Sequence, residues 1–303
     1  MSSSYCHLCG AVLDGRFKTF HHREWSPTLS LNVCQLCAQN KPRCTVCDLP
    51  MVGESPNGIC QTCIQVNRYC NTCGHLIKQS YVQFDGAGQY CETCYHGRKP
   101  CDVCGAPLTD SKWSLSDGRL TCAYCHSTAI YDPVEATALY EQMSKVLDRL
   151  LDLSLNIPTG LALVDRNQLA EILVQQKDKS PNHQQESSGL NPQHTLGLYA
   201  RRGIRRGIYI QNGLPRMLFL QVAAHEFAHA WQGENCPLLK DAMIHEGFAE
   251  WVAYRVLGDY GYTHSQERMC SRKDIYGKGL RLILNVENTQ GIEGVYQTCR
   301  SIS

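Results

Sequence analysis

Tyr69-Cys70-Asn71-Thr72-Cys73-Gly74-His75, followed by Gly88-Gln89-Tyr90-Cys91-Glu92-Thr93-Cys94-Tyr95, decides how the N-terminal half folds. Two cysteines three positions apart offer two thiolates to one tetrahedral ion, and a second such pair completes the shell. Outward from this stretch the pair recurs at Cys6/Cys9, Cys34/Cys37, Cys44/Cys47, Cys60/Cys63, Cys101/Cys104 and Cys122/Cys125. Six residues separate Cys37 from Cys44, Cys63 from Cys70 and Cys94 from Cys101, while the gap inside a unit varies from 12 to 24. A constant junction with a variable interior predicts four ions held by consecutive pairs, with each interior forming a hairpin. The sets are Cys6/Cys9/Cys34/Cys37, Cys44/Cys47/Cys60/Cys63, Cys70/Cys73/Cys91/Cys94 and Cys101/Cys104/Cys122/Cys125. Interleaved pairing is the alternative. Units this small cannot fold on apolar burial, so zinc must supply most of the folding free energy. With four thiolates each site is closed, hence structural.

The chain has 303 residues with 19 cysteines, 43% apolar and 19% charged residues, and a formal net charge of +1. Its N-terminus has neither a basic region nor an apolar run, so a secretory signal is not expected. Leu214–Ala224 is too short and too polar to span a bilayer. Reduced cysteines and a cytoplasmic location follow as expectations. Residues 1–125 carry 11 Lys/Arg and 9 Asp/Glu. Four zincs with sixteen thiolates would bring the region to about −6, a poor surface for phosphates. A protein partner is therefore expected, with no nucleic acid and no membrane.

The units resemble LIM-type fingers. They differ in a junction of six residues where LIM domains have two, and in a cysteine at the usual third-ligand histidine. His21, His22, His75, His96 and His126 read as exposed or packing residues. The expected division is one pair of LIM-like modules over 1–66, a second over 67–128, and a further domain over 129–303. The overall class is α+β: small zinc-bound hairpins, then a domain with a small sheet and longer helices.

That domain opens on a linker helix, 133–153. Asp132 suits the cap, Pro133 the first turn, and Leu139, Met143, Val146, Leu147 and Leu150 recur at helical spacing. Leu161–Asp165 reads as a strand, Gln168–Val174 as a helix, Gln175–Gln193 as a polar loop, and Thr195–Ala200 and Arg206–Gln211 as strands. Gly213-Leu214-Pro215 launches a helix carrying His225-Glu226-Phe227-Ala228-His229, a His-Glu-x-x-His motif. Residues four apart share a helical face, so both imidazoles reach one zinc with Glu226 beside its open position. Downstream, Ile244-His245-Glu246-Gly247-Phe248-Ala249-Glu250-Trp251 reads as a second helix offering a third ligand. Metzincins require Gly where Gln232 stands and His where Asn235 stands. A carboxylate from a downstream helix is the gluzincin arrangement, with Glu246 as the ligand. Glu250, one turn on, can accept a hydrogen bond from a ligand imidazole. Glu250 or His245 as the ligand is the rival assignment.

Gly213-Leu214-Pro215-Arg216, Ala224–Trp231, the sixteen-residue gap, Glu246-Gly247 and Tyr276-Gly277-Lys278-Gly279 together resemble the LIM-bearing peptidases of the plant organ-size ("DA-one") family. The resemblance covers roughly residues 130–300. It implies a zinc endopeptidase of selected protein substrates, with Glu226 as base and His225, His229 and Glu246 as ligands. The plant members carry ubiquitin-interacting motifs. This sequence contains no acidic run with the Ala-x-x-x-Ser core, so ubiquitin control does not transfer. The pattern reads as a shorter, or a bacterial, relative.

The mechanism expected uses one catalytic zinc beside the four structural ones, Glu226 as general base and Tyr276 as candidate oxyanion donor. The Ile204–Gln211 strand is expected to offer an edge to an extended substrate. Arg201, Arg202, Arg205 and Arg206 read as a solvated basic face, with an acidic-substrate groove or docking onto the zinc array as alternatives. Cys236, Cys270 and Cys299 read as buried structural thiols and Trp231 as core. Two other functions stay open at this point: a catalytically silent LIM-type scaffold, and a nucleic-acid-binding regulator suggested by the fingers and the arginine run.

Overall fold

The computed structural model describes residues 5–13, 15–21, 30–45, 47–51, 58–60, 63, 69–77, 80–84, 86–177, 195–202 and 205–300. They form two compact units, Met1–Pro100 with Ala106–Thr109, and Cys101–Gly105 with Asp110–Ser303. His22 and most of the polar 175–193 stretch lie outside the described residues, as does the side chain of His21.

The first unit repeats one small design. Antiparallel β1 (Phe17–His21) and β2 (Ser30–Cys34) lead into the one-turn helix α1 (Gln35–Asn40). β3 (Tyr81–Phe84) and β4 (Gly88–Cys91) lead likewise into α2 (Glu92–Gly97). Each first cysteine pair sits on a knuckle closed by a single bridge: Tyr5 to Val12, Arg43 to Pro50, Tyr69 to Leu76. The residue after each pair takes the left-handed conformation at Gly10, Asp48 and Gly74 (φ 73, 59 and 69), and in the second unit at Gly105 (φ 77). Each donates its N–H to the carbonyl of the pair's first cysteine at 2.9 Å. Glycine adopts this conformation without a Cβ penalty; Asp48 is among the few residue types that visit it otherwise.

The second unit begins with a similar module: hairpin β5 (Lys112–Ser114) and β6 (Leu120–Cys122), then α3 (Ala123–Ser127) and the short β7 (Ala129–Ile130). Helix α4 (Pro133–Leu151) starts where the sequence indicates, with the Asp132 carboxylate accepting from the Val134 N–H at 2.9 Å. It buries Leu139, Met143 and Leu147. Then follow β8 (Gly160–Val164), α5 (Arg166–Lys177), β9 (Gly197–Arg202), β10 (Arg205–Gln211) and the two-residue β11 (Leu214–Pro215). Four helices complete the unit: α6 (Arg216–Asn235), α7 (Ala242–Asp259), α8 (Thr263–Ser271) and α9 (Ile275–Arg300), the last broken at Gly291.

The sheet order is β8-β10-β9, with β10 parallel to β8 and antiparallel to β9. This corrects the expectation that the Ile204–Gln211 strand presents an edge. β10 is central, and β9 is an edge instead. The Gln211 N–H donates to the Leu196 carbonyl, and antiparallel bonding alternates. The main-chain groups of Gly197, Tyr199 and Arg201 therefore face outward. Helices α6 and α7 are apolar on nearly every face, as elements at the centre of a core must be. Phe219, Phe248 and Trp251 are fully buried there, and cutting any of them to Ala should cost about 3–5 kcal/mol. Trp231, Cys236 and Cys299 lie in the same core, while Cys270 is half-buried. Among the described residues, no helix is long and apolar enough to cross a membrane.

Candidate metal centres and active site

The sulfurs gather in the four consecutive-pair sets, so the interleaved alternative falls away. A zinc–sulfur bond near 2.3 Å places tetrahedral sulfurs about 3.8 Å apart. The observed separations are 3.8 Å for Cys9–Cys34, 3.7 Å for Cys47–Cys60, 4.0 Å for Cys73–Cys91 and 3.8 Å for Cys104–Cys122. Backbone donors converge on the same sulfurs. The Cys34 N–H meets Cys6 Sγ at 3.4 Å, Cys60 meets Cys44 at 3.2 Å, and Cys122 meets Cys101 at 3.3 Å. Burial opposes a thiolate at Cys6 and Cys70, yet backbone amides, those of Cys34, Leu8 and Cys9 on Cys6 and those of Cys73, Cys91 and Thr72 on Cys70, outweigh it and hold both thiols near pKa 6. Burial and then the neighbouring sulfurs push Cys37 and Cys94 up to about 12. Crowded sulfurs that ionise only at each other's expense are the donor set a divalent cation satisfies. His75 and His96 are exposed and His126 stacks on Trp113 at 4.6 Å. None of these three joins a set.

A fifth set stands on α6 and α7: His225, His229 and Glu246. Asp241 caps α7 through the Met243 and Ile244 N–H groups, which sets the helix in register to aim Glu246 at α6. His225 Nε2 and His229 Nε2 lie 3.0 Å apart, and Glu246 Oε2 lies 3.4 and 3.6 Å from them. An ion with bonds of 2.0–2.2 Å has tetrahedral corners about 3.3–3.6 Å apart, so the triangle is of the size that suits zinc. Burial alone would lower the His225 pKa, but the Glu246 and Glu250 carboxylates carry it well above the usual imidazole value. Burial opposes ionisation of Glu246 in turn, and the three imidazoles around it hold it far below the carboxylate range.

The supporting contacts divide between foreseen and unforeseen. Glu250 Oε1 is 3.3 Å from His225 Nδ1, as the one-turn spacing predicts, and Arg272 approaches the same oxygen at 3.5 Å. His229 Nδ1 meets Gln232 Oε1 at 2.9 Å, and Gln232 Nε2 donates to the His245 carbonyl at 3.0 Å. Gln232 was legible in principle, one turn past His229 on the same face. His245 does not join the three converging atoms. It stacks on His229 at 4.5 Å, with Nδ1 3.6 Å from Glu246 Oε1, and burial lowers its pKa. Replacing Glu250 with Gln should weaken zinc at this triangle about 10–100-fold, because a ligand imidazole loses its charged acceptor. Chelator competition reads the change, and unaltered affinity would remove Glu250 from the support.

Glu226 Oε2 accepts the Tyr199 N–H of edge strand β9 at 2.7 Å. That closeness depends on Gly197, where a Cβ would fall 2.4 Å from Val222 and 3.0 Å from Glu226. Tyr276, at the start of α9, has its ring centroid 6.0 Å from that of His225, and Arg272 lies over its ring at 4.7 Å. Burial, with Glu246 adding to it, pushes the phenol up to about 12. All these groups line a cleft of about 650 Å³, with Leu218, Val222 and Leu239 on its apolar wall. The basic run is not uniformly solvated. The Arg206 side chain is only 8% exposed, donating to the Tyr199 hydroxyl at 3.1 Å and facing Glu234 at 3.9 Å, whereas Arg201 and Arg205 are exposed.

Comparison with known proteins supports the sequence resemblance. LIM domain-containing protein HDR3 of Oryza sativa subsp. japonica is 29% identical over 171 residues, 49% of this chain and 34% of its own length. The chain is a homologue of plant DA1 and LIM-domain proteins. Protein DA1-related 1 of Arabidopsis thaliana is 30% identical over 177 residues, 50% of this chain and 31% of its own. Protein DA1 of the same plant is 26% identical over 166 residues, 47% and 31% respectively. This chain thus matches about a third of the length of each of these relatives. No protein-family model and no solved structure matches it.

Proposed function

We propose that this chain is a zinc-dependent endopeptidase acting on protein substrates, with LIM-like modules that recognise a substrate or a regulatory protein. The observation that carries the proposal is the zinc-sized triangle of His225, His229 and Glu246 with Glu226 beside it in one cleft. When bound there, zinc would polarise the scissile carbonyl and bring the pKa of a bound water toward about 7. Glu226, its carboxylate oriented by the Tyr199 N–H, takes the proton of the attacking water and passes it to the leaving amine. The outward main-chain groups of Gly197 and Arg201 on β9 hold an extended substrate beside it with little demand on sequence. Tyr276 remains protonated at neutral pH and donates to the developing oxyanion. Sixteen thiolate ligands suit a reducing compartment, which supports a cytoplasmic location.

No observation favours a silent scaffold, because the residues for the chemistry share one cleft. Nor does one favour nucleic acid. The test is cleavage of an unfolded protein by the zinc-loaded chain before and after brief exposure to a chelator. A three-residue site should lose its ion before the closed four-thiolate sites. Cleavage should stop and return on adding zinc; cleavage indifferent to chelator would contradict the proposal.

A further inference from the structure

The fourth zinc module lies in the same compact unit as the cleft, and its attachments lead to one place. Val103, between ligands Cys101 and Cys104, packs against the main core. Arg119, at the hairpin's return, has a side chain 0% exposed and pairs at 2.9 Å with Asp117, which is 1% exposed. Arg119 Nη2 also donates to the Asn212 carbonyl at 2.9 Å and to Asn212 Oδ1 at 2.7 Å. Asp117 accepts the Arg166 N–H at 3.0 Å. An exposed finger needs none of this. A fully buried ion pair is costly unless its geometry is well satisfied. Here three of its hydrogen bonds reach the segments flanking the sheet, two at Asn212 and one from Arg166, and Arg119 Nη1 is left without a partner among the described residues.

Asn212 begins the connection into the helix that bears His225. Immediately after it, β11 pairs with β7, Leu214 opposite Ile130 and Pro215 opposite Ala129. β7 begins four residues beyond the ligand Cys125. Gly213 is pressed against the module, since a Cβ there would fall 3.0 Å from Tyr131 and 3.3 Å from Leu115. Helix α6 has no side-chain cap. Its first N–H, from Arg216, donates instead to the Thr128 carbonyl at 2.9 Å. The module's backbone thus satisfies a donor that a helix start otherwise leaves open.

We propose that the fourth zinc module is a working part of the cleft-bearing unit, and that Arg119 is a positioning residue which carries the order of its four-thiolate site to the start of α6. His225 lies nine residues from that start, on the same rigid helix. The inference rests on the peptidase reading only for its effect on rate.

The experiment uses the full zinc-loaded chain and compares Asp117→Asn/Arg119→Met, Arg119→Lys, Cys125→Ser and Cys37→Ser. Amide exchange over residues 214–224 and chelator competition for the His225/His229/Glu246 zinc are read alongside kcat and KM on a peptide. Asp117→Asn/Arg119→Met keeps all four thiolates and leaves no unpaired buried charge. It should speed exchange at the start of α6 and weaken that zinc about tenfold or more, lowering kcat more than KM changes. Arg119→Lys, which keeps a charge for Asp117, should recover part of the loss. Cys125→Ser should act like the double variant, and Cys37→Ser should leave both exchange and that affinity unchanged. Native exchange and affinity in the double variant overturn the inference, even if Cys125→Ser does not fold. Equal loosening by Cys37→Ser overturns it as well. A wild-type chain that neither fills the triangle nor cleaves peptide defeats the peptidase reading, and exchange at the helix start still decides this one.

Discussion

Glu226→Gln should lower peptide hydrolysis by about 10²–10⁴-fold, the usual contribution of a positioned general base. Glutamine preserves the shape of the side chain and can still meet the Tyr199 N–H through its amide oxygen. It cannot take a proton from water at neutral pH. Glu226 is not among the three converging ligand atoms, so zinc content should be unchanged, which separates this loss from that of a ligand variant. Measured on a peptide with quantified zinc, a Glu226→Gln protein as active as wild type would remove the base from the mechanism.

Gly247→Ala should be nearly as damaging although it adds one methyl group. A Cβ on Gly247 would fall 2.6 Å from the carbonyl carbon and oxygen of Gly279, and one on Gly279 would fall 2.5 Å from the Met243 carbonyl. These are backbone atoms of α7 and α9 and cannot swing aside. The helices must separate, and overpacking of this kind costs about 1–3 kcal/mol. Glu246 is the adjacent residue, and Tyr276 lies one helical turn before Gly279. A displacement of about 1 Å at such groups can cost around 10²-fold in rate. Gly247→Ala should therefore melt several degrees lower and lose both zinc affinity and turnover. Gly233→Ala is the matching contrast. Its Cβ would have an ordinary 3.6 Å contact with Tyr199, so there the gain in helix propensity, up to about 1 kcal/mol, should prevail. Equal effects at the two glycines would refute the packing argument.

What could be read in advance was what depends on spacing. The cysteine intervals fixed which sulfurs meet, because a knuckle's geometry is local. The four-residue step from His225 to His229, and from Glu246 to Glu250, placed side chains on shared helical faces. The Asp132-Pro133 helix start was legible because capping needs only adjacent residues. Contacts that join distant segments were not. Nothing near Arg119 in the sequence signals its burial, which depends on Asn212, 93 residues on. Arg206 looked solvated because nothing nearby in sequence announces Glu234. The strand now called β10 seemed free to offer an edge because its second neighbour, β8, lies across a long connection. The glycines of Glu246-Gly247 and Tyr276-Gly277-Lys278-Gly279 served as a resemblance, and only the helix contact shows their steric purpose.

The most direct measurement is the zinc content per chain of wild type and His225→Ala, prepared together. Four all-cysteine sets and one His/His/Glu set predict five ions in wild type and four in the variant. Four in both would leave the triangle without zinc and contradict the account.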